Sequence, residues 1–105
     1  QNARKVTGRS MNASLETISP PAIQLHPADN VAIAIKRLEI GQTLRVGDKL
    51  ITCTDAIPPG HKVAVVASVA GSKVLKYGQS IGIASQPIQP GQHVHSHNLV
   101  DDHRV

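Results

Sequence analysis

Residues 38–50 read Leu-Glu-Ile-Gly-Gln-Thr-Leu-Arg-Val-Gly-Asp-Lys-Leu, so leucine recurs every sixth position with a glycine midway between. Glycine can adopt the positive φ that a tight turn needs, and the flanking apolar residues can then both return to the core. The same spacing recurs around Gly60 and Gly91, and a looser copy surrounds Gly71. Five such turns in a short chain predict an all-β domain of short, bent strands joined by tight glycine turns.

Three runs of β-branched and small apolar residues fit this prediction. They are Val31–Ile35, Lys62–Ala67 and Ser80–Ala84. A helix over Asp29–Leu38, capped by the Asp29-Asn30 pair, is the competing interpretation of the first run. The density of β-branched residues and the glycine that soon follows favour a strand.

The chain has 105 residues, of which 40% are hydrophobic, and this size predicts one small domain. Residues 1–21 are polar, lack periodicity and end in Ser-Pro-Pro, so we expect a disordered or extended lead-in before a domain over residues 22–105. The net charge of +4 comes mostly from three basic residues among the first ten. From Met11 onward, eight basic and seven acidic residues leave +1. Tyr77 is the only aromatic residue among Phe, Trp and Tyr, so the chain lacks the stacking surface typical of nucleic-acid binding.

Other classes of protein are excluded by what the sequence lacks. No window approaches ~18 consecutive apolar residues, and no secretory signal is recognisable, so we expect neither a membrane span nor secretion. Cys53 is the only cysteine and cannot form an internal disulfide, which favours a cytoplasmic location. It lies in the strand-like run Leu50–Thr54, where a small buried apolar residue is expected rather than a nucleophile. No Ser-His-Asp pattern or phosphate-binding glycine loop supports a hydrolase or a kinase.

Four motifs occur in a fixed order along the body of the chain. They are His-Pro-Ala-Asp-Asn-Val-Ala at 26–32, Gly-His-Lys-Val-Ala at 60–64, Lys-Tyr-Gly-x-x-Ile-Gly at 76–82 and Gly-x-His-Val-His-x-His-Asn at 91–98. In this order they resemble the amino-terminal SAF domain of the altronate and galactarate dehydratase family, over about Ile23 to Asn98. The resemblance implies a compact β-clip fold for residues 22–105.

Members of this family remove water from hexonate or hexarate sugar acids. The resemblance therefore implies the amino-terminal domain or small subunit of a hydro-lyase, which contacts substrate or a larger catalytic region and is inactive alone. The small subunit of sulfolactate sulfo-lyase is also similar. A stand-alone module that binds carbohydrates or carboxylates is the alternative from another class, and a homo-oligomer stays open. The family also implies a divalent metal, with iron, manganese and zinc as candidates, although the metal need not bind in this domain.

Dehydration of a 2,3-dihydroxy acid needs a base for the proton beside the carboxylate, a cation for the developing charge, and help for the departing hydroxide. His61 and Lys62 are the catalytic candidates. The substrate-binding candidates are Lys76 as a second cation, Tyr77 as a hydroxyl donor, and Asp29, Asn30 and Asn98 from the motifs. Structural alternatives exist for most of them. Gly60-His61-Lys62 is also compatible with a turn carrying a solvated lysine, Tyr77 with a large core side chain, and Asp29-Asn30 with side chains bonded to their own turn.

Histidines alternate in the last motif, at positions 93, 95 and 97. In an extended strand all three would project from one face, about 7 Å apart, and at bonds of ~2.1 Å they could share a metal only if the rings tilt inward or the strand bends. We therefore expect a metal site made of His95 and His97 together with His26 or His61. The alternative is a polar strand face that contacts the larger catalytic region.

Overall fold

The computed structural model describes residues 20–101, which form nine short strands and no helix. The strands are β1 (Ala22–Ile23), β2 (Val31–Ala34), β3 (Thr43–Val46), β4 (Lys49–Thr52), β5 (Lys62–Ala64), β6 (Lys73–Lys76), β7 (Gln79–Ala84), β8 (His93–Val94) and β9 (Leu99–Val100). The all-β prediction is confirmed, and the first apolar run is a strand rather than a helix. Within the described range, no helix is long and apolar enough to cross a membrane. The lead-in predicted for residues 1–21 lies almost wholly outside the described residues.

All strand pairs are antiparallel and form three small sheets. One sheet has the order β1-β2-β5-β8, a hairpin joins β3 to β4, and a third sheet has the order β6-β7-β9. In the four-stranded sheet, Val63 of β5 lies opposite Ala32 of β2 and His93 of β8. Three motifs that are far apart in the sequence are therefore neighbours in this sheet.

The described chain repeats one arrangement about thirty residues apart. Each copy contains a hairpin, β3–β4 or β6–β7, and an isolated bridge, Leu38 with Ile57 or Ser68 with Ile88. The glycine turns confirm the sequence prediction, since all five central glycines have φ between 62° and 92°. At Gly91 the backbone also approaches β4 so closely that a Cβ atom would overlap the carbonyl oxygen of Thr52. The six-residue pattern thus reflects turns that fold each copy back on itself.

Two clusters of apolar side chains form the core. The larger contains Ala22, Ala32, Ala34, Leu38, Leu44, Val46, Ile51, Cys53, Ile57, Val63 and Val65. The smaller contains Val31, Ala64, Val74, Ala84, Ile88 and Val94. Cys53 is 1% exposed, which confirms that it is a small buried apolar residue.

Tyr77 is not part of either cluster. Its side chain is 71% exposed at the turn between β6 and β7, where its φ is +57°. The expectation of a large aromatic core residue is wrong, because aliphatic side chains such as Leu38, Ile57 and Ile88 fill the interior.

Candidate functional site

The turn between β6 and β7 is held by one buried carboxylate. Asp29 is 2% exposed, and its Oδ2 and Oδ1 atoms accept hydrogen bonds from the backbone N–H groups of Tyr77 at 2.7 Å and Gly78 at 2.8 Å. Next to it, Asn30 Oδ1 accepts from the N–H of Leu75 at 2.6 Å, and the Asn30 N–H donates to the Leu75 carbonyl at 3.1 Å. We call this set of contacts the hairpin clasp. It shows that the alternative in which Asp29 and Asn30 bond their own turn is wrong.

Lys62 and Lys76 lie close enough for their charges to interact. Partial burial lowers the pKa of Lys62, and the positive charge of Lys76 lowers it further. Arg37 and Glu39 form an ion pair at 3.0 Å, and among residues 20–101 no carboxylate lies within ion-pair distance of either lysine. Two neighbouring cations with no carboxylate beside them in the described range can bind an anion such as a substrate carboxylate.

Histidines form a second group at the β5–β8 edge. His61 Nδ1 and His93 Nε2 are 2.9 Å apart, within hydrogen-bond distance. The His95 ring stacks on both, with centroid distances of 4.8 Å to His61 and 5.2 Å to His93. One nitrogen from each ring lies within 4.8 Å of the others. We call these three residues the histidine group.

Two polar side chains, half-buried Asp55 and buried Asn98, fix the backbone of this group. The N–H of His93 donates to Asp55 Oδ2 at 2.9 Å. Asn98, 1% exposed, accepts from the N–H of His95 at 3.0 Å and donates its amide to the carbonyl of His93 at 2.9 Å. Both ends of the Asn98 amide are therefore bonded to backbone, so Asn98 positions the histidines here.

His93 has an electrostatic reason to stay neutral. Burial lowers the pKa of His93, and the neighbouring rings of His61, His95 and His97 lower it further, while Asp55 opposes the shift. A neutral imidazole carries a lone pair on one ring nitrogen and can serve as a metal ligand.

The histidines predicted to bind a metal do not all meet. His95 belongs to the histidine group, as does His61, which was an alternative third ligand. His97 lies beside the group, with its ring centroid 5.8 Å from that of His93. His26 is elsewhere: its ring packs against Gly78, its Nδ1 accepts from the N–H of Ala28 at 3.0 Å, and it lines a separate surface depression.

His93 was not in the predicted ligand set, although it is central to the group. The expected extended strand over residues 93–97 is wrong, because β8 ends at Val94 and the chain turns back. In that turn, the N–H groups of Asn98 and Leu99 both donate to the carbonyl of His95. The pairing of β5 with β8 brings His61 to His93, and nothing local in the sequence indicates that pairing.

Taken together, the four motifs supply the hairpin clasp, the lysine pair and the histidine group of one small β domain. A family model described as the altronate/galactarate dehydratase SAF domain matches residues 20–102. The chain belongs to this family. The resemblance seen in the motifs is thereby confirmed, and the chain is homologous to the amino-terminal SAF domain of these dehydratases.

Relatives of this SAF domain include long and short proteins. It is 40% identical over 76 residues to altronate dehydratase of Escherichia coli (strain K12), a match that covers 72% of this chain and 15% of the relative. It is 36% identical over 84 residues to galactarate dehydratase (L-threo-forming) of the same organism, covering 76% of this chain and 16% of the relative. It is also 37% identical over 83 residues to the (2R)-sulfolactate sulfo-lyase subunit alpha of Chromohalobacter salexigens, covering 71% of this chain and 88% of the relative. The chain thus matches about one sixth of each dehydratase, but most of the sulfo-lyase subunit.

Proposed function

We propose that this SAF domain serves a sugar-acid hydro-lyase of the altronate or galactarate dehydratase type, as its amino-terminal domain or small subunit. Its part is to bind the substrate carboxylate and to contact a larger catalytic region. The observation that carries the proposal is that the charge of Lys76 lowers the pKa of Lys62, while no carboxylate among the described residues lies within ion-pair distance of either lysine. The dehydratase relatives supply the reaction class.

A carboxylate placed between the two lysines would relieve their mutual repulsion. In dehydration, the proton removed lies beside the substrate carboxylate, so negative charge moves onto that group as the proton leaves. Cations already in place stabilise this charge without reorganising, and they act more strongly where water is partly excluded. Lys62 is half-buried, which meets this condition.

Tyr77 is the second feature that supports substrate contact. It is a non-glycine residue at positive φ, which costs about 1 kcal/mol, and its side chain is mostly exposed rather than packed. The hairpin clasp holds the turn in this conformation through Asp29. We infer that the turn presents the Tyr77 hydroxyl as a hydrogen-bond donor to a substrate oxygen.

His61 is the candidate base or acid on this chain, and its ring lies in the histidine group, against His93 and His95. The proposal therefore leaves the remaining acid–base chemistry to the larger catalytic region, which is the proposed partner in preference to a second copy of the domain. It places the assembly in the cytoplasm, where a lone cysteine stays reduced.

The test is turnover of altronate or galactarate by the chain, alone and mixed with a dehydratase catalytic region. We expect no turnover by the chain alone and turnover by the mixture. Lys62→Met and Lys76→Met should each lower kcat/KM by at least about tenfold, the equivalent of one lost charged contact. Lys73→Met, an exposed lysine on the same strand as Lys76, is the matched control and should stay within about twofold. Wild-type turnover by both test variants would overturn the role of the lysines.

One observation favours the alternative that the chain is the small subunit of a sulfolactate sulfo-lyase: the match covers 88% of a sulfo-lyase alpha subunit. Sulfolactate also carries a carboxylate for the two lysines. Turnover of (2R)-sulfolactate, and not of sugar acids, in a mixture with the larger sulfo-lyase subunit would establish this alternative. Carboxylate binding without turnover in any mixture would instead favour a stand-alone binding module.

A further inference from the structure

We propose that His61, His93 and His95 form a binding site for a divalent transition metal of the zinc, cobalt or iron(II) type. The metal would take one imidazole nitrogen from each ring and keep a position open for water or an oxygen ligand. Among residues 20–101, this is the only place where three histidine, cysteine or acidic side chains converge in this way.

The spacing of the three rings suits a metal. Ligand nitrogens about 2.1 Å from a tetrahedral ion lie roughly 3.4 Å from one another. The His61–His93 nitrogen pair is 2.9 Å apart, and all three ligand atoms lie within 4.8 Å. The required distance falls between these values, so small rotations of the rings bring the nitrogens to one ion.

A direct hydrogen bond between two imidazoles explains only part of this arrangement. It accounts for His61 and His93, whereas the ring of His95 contacts the other two rings by stacking. Three rings that repel one another when protonated are brought together by backbone bonds to Asp55 and Asn98. A shared metal ion would explain why the fold brings the three rings together.

The choice of metal follows from the donor atoms. Imidazole nitrogen suits zinc, cobalt, iron(II), nickel and copper, whereas magnesium and calcium prefer oxygen ligands. Asp55 Oδ2 accepts from the backbone N–H of His93, and the atoms that converge are the nitrogens of the three histidines, without the Asp55 carboxylate. His95 is exposed and the other two rings are half-buried, so the open position faces solvent.

This inference does not depend on the proposed function, because metal binding by the 105-residue chain needs neither sugar acid nor catalytic region. The experiment is a titration of the chain with Co²⁺, followed by the visible absorption of the ion, and then displacement by Zn²⁺. We expect one equivalent of bound Co²⁺ with the intense bands of a four- or five-coordinate site, lost when Zn²⁺ is added.

Variants identify the ligands. His61→Ala, His93→Ala and His95→Ala should each weaken Co²⁺ binding by at least about 30-fold and abolish the intense bands. His97→Ala and His26→Asn are matched histidine controls and should stay within about threefold; the asparagine can still accept from the N–H of Ala28. Amide NMR spectra establish that each variant is folded, and exposed His95 gives the decisive substitution if the others unfold.

Two results would overturn the site. One is a loss of affinity in His26→Asn or His97→Ala as large as that in His95→Ala, which would show a different ligand set or scattered surface binding. The other is wild-type affinity in folded His95→Ala. A failure of dehydration in the mixing assay would leave this titration unchanged, so the two proposals fail separately.

Discussion

Asp29 Oδ2 accepts a hydrogen bond from the backbone N–H of Tyr77 at 2.7 Å, although 48 residues separate the two in the sequence. The other carboxylate oxygen accepts from Gly78 in the same way. Because Asp29 is almost fully buried, these two N–H groups take the place of water around its charge. Asp29, which the motifs indicate as a substrate-binding candidate, thus holds the turn between β6 and β7 in the structure.

Asp29→Ala should destabilise the domain by about 2–4 kcal/mol, because it leaves two backbone N–H groups without their charged acceptor. Asp29→Asn should cost less, since its one carbonyl oxygen still accepts from one of them. The measurement is the midpoint of urea unfolding. Asp48→Ala, at the exposed tip of the β3–β4 hairpin, is the control and should change stability by no more than about 0.5 kcal/mol. An unchanged midpoint for Asp29→Ala would contradict the anchoring role.

Tyr77→Gly should raise the free energy of unfolding by up to about 1 kcal/mol. Glycine adopts φ near +57° without the penalty that tyrosine incurs, and the exposed side chain contributes little packing. Tyr77→Ala keeps the penalty and should show no such gain. Thermal unfolding of both variants measures the difference. A clear loss of stability in Tyr77→Gly would mean that the side chain packs more than its exposure indicates.

Cys53 should react slowly with a thiol reagent in the native protein and rapidly in urea. Burial raises the pKa of its thiol, and the negative charge of Asp55 raises it further, so little reactive thiolate forms at neutral pH. The rate at which a chromogenic disulfide reagent reacts with Cys53 is measured for the native chain and for the chain unfolded in urea. Rapid reaction of the folded chain would show that the larger core cluster opens easily.

Lys62 should make stability depend on alkaline pH. Its pKa is lower in the folded chain than in the unfolded chain, so the folded state binds this proton less tightly, and the charged form costs stability at neutral pH. That cost disappears as the pH rises through the folded pKa toward the ordinary lysine range. Lys62→Met should therefore be more stable than wild type at pH 7, by an amount that shrinks in alkali.

The control for this prediction is Lys73→Met, which should track the wild type at every pH. Urea midpoints measured from neutral to alkaline pH give all three curves. A difference between Lys62→Met and wild type that stays constant with pH would show that burial and charge at Lys62 do not act through its protonation.

The features predicted correctly from the sequence are local ones. A glycine between two apolar residues sets a turn by its own backbone freedom, and Cys53 lies in a short apolar run, so both could be recognised without the fold. The histidine group could not be predicted from the sequence, because His61 reaches His93 through strand pairing across 32 residues. The prediction that Tyr77 is a core residue failed for a similar reason, because aliphatic side chains that are distant in the sequence fill the core instead.

Strand β5 and the residue that follows it contribute alternately to the two core clusters: Val63 and Val65 belong to the larger cluster and Ala64 to the smaller. Loss of this strand would expose both core clusters at once, so neither cluster can unfold while the other stays folded. The slowest amide protons should therefore exchange with one common free energy, that of global unfolding. A fragment ending before Lys62 would keep both strands of the β3–β4 hairpin but lack strand β5, against which the larger cluster packs. The thirty-residue copy is therefore a structural repeat and not an independent folding unit.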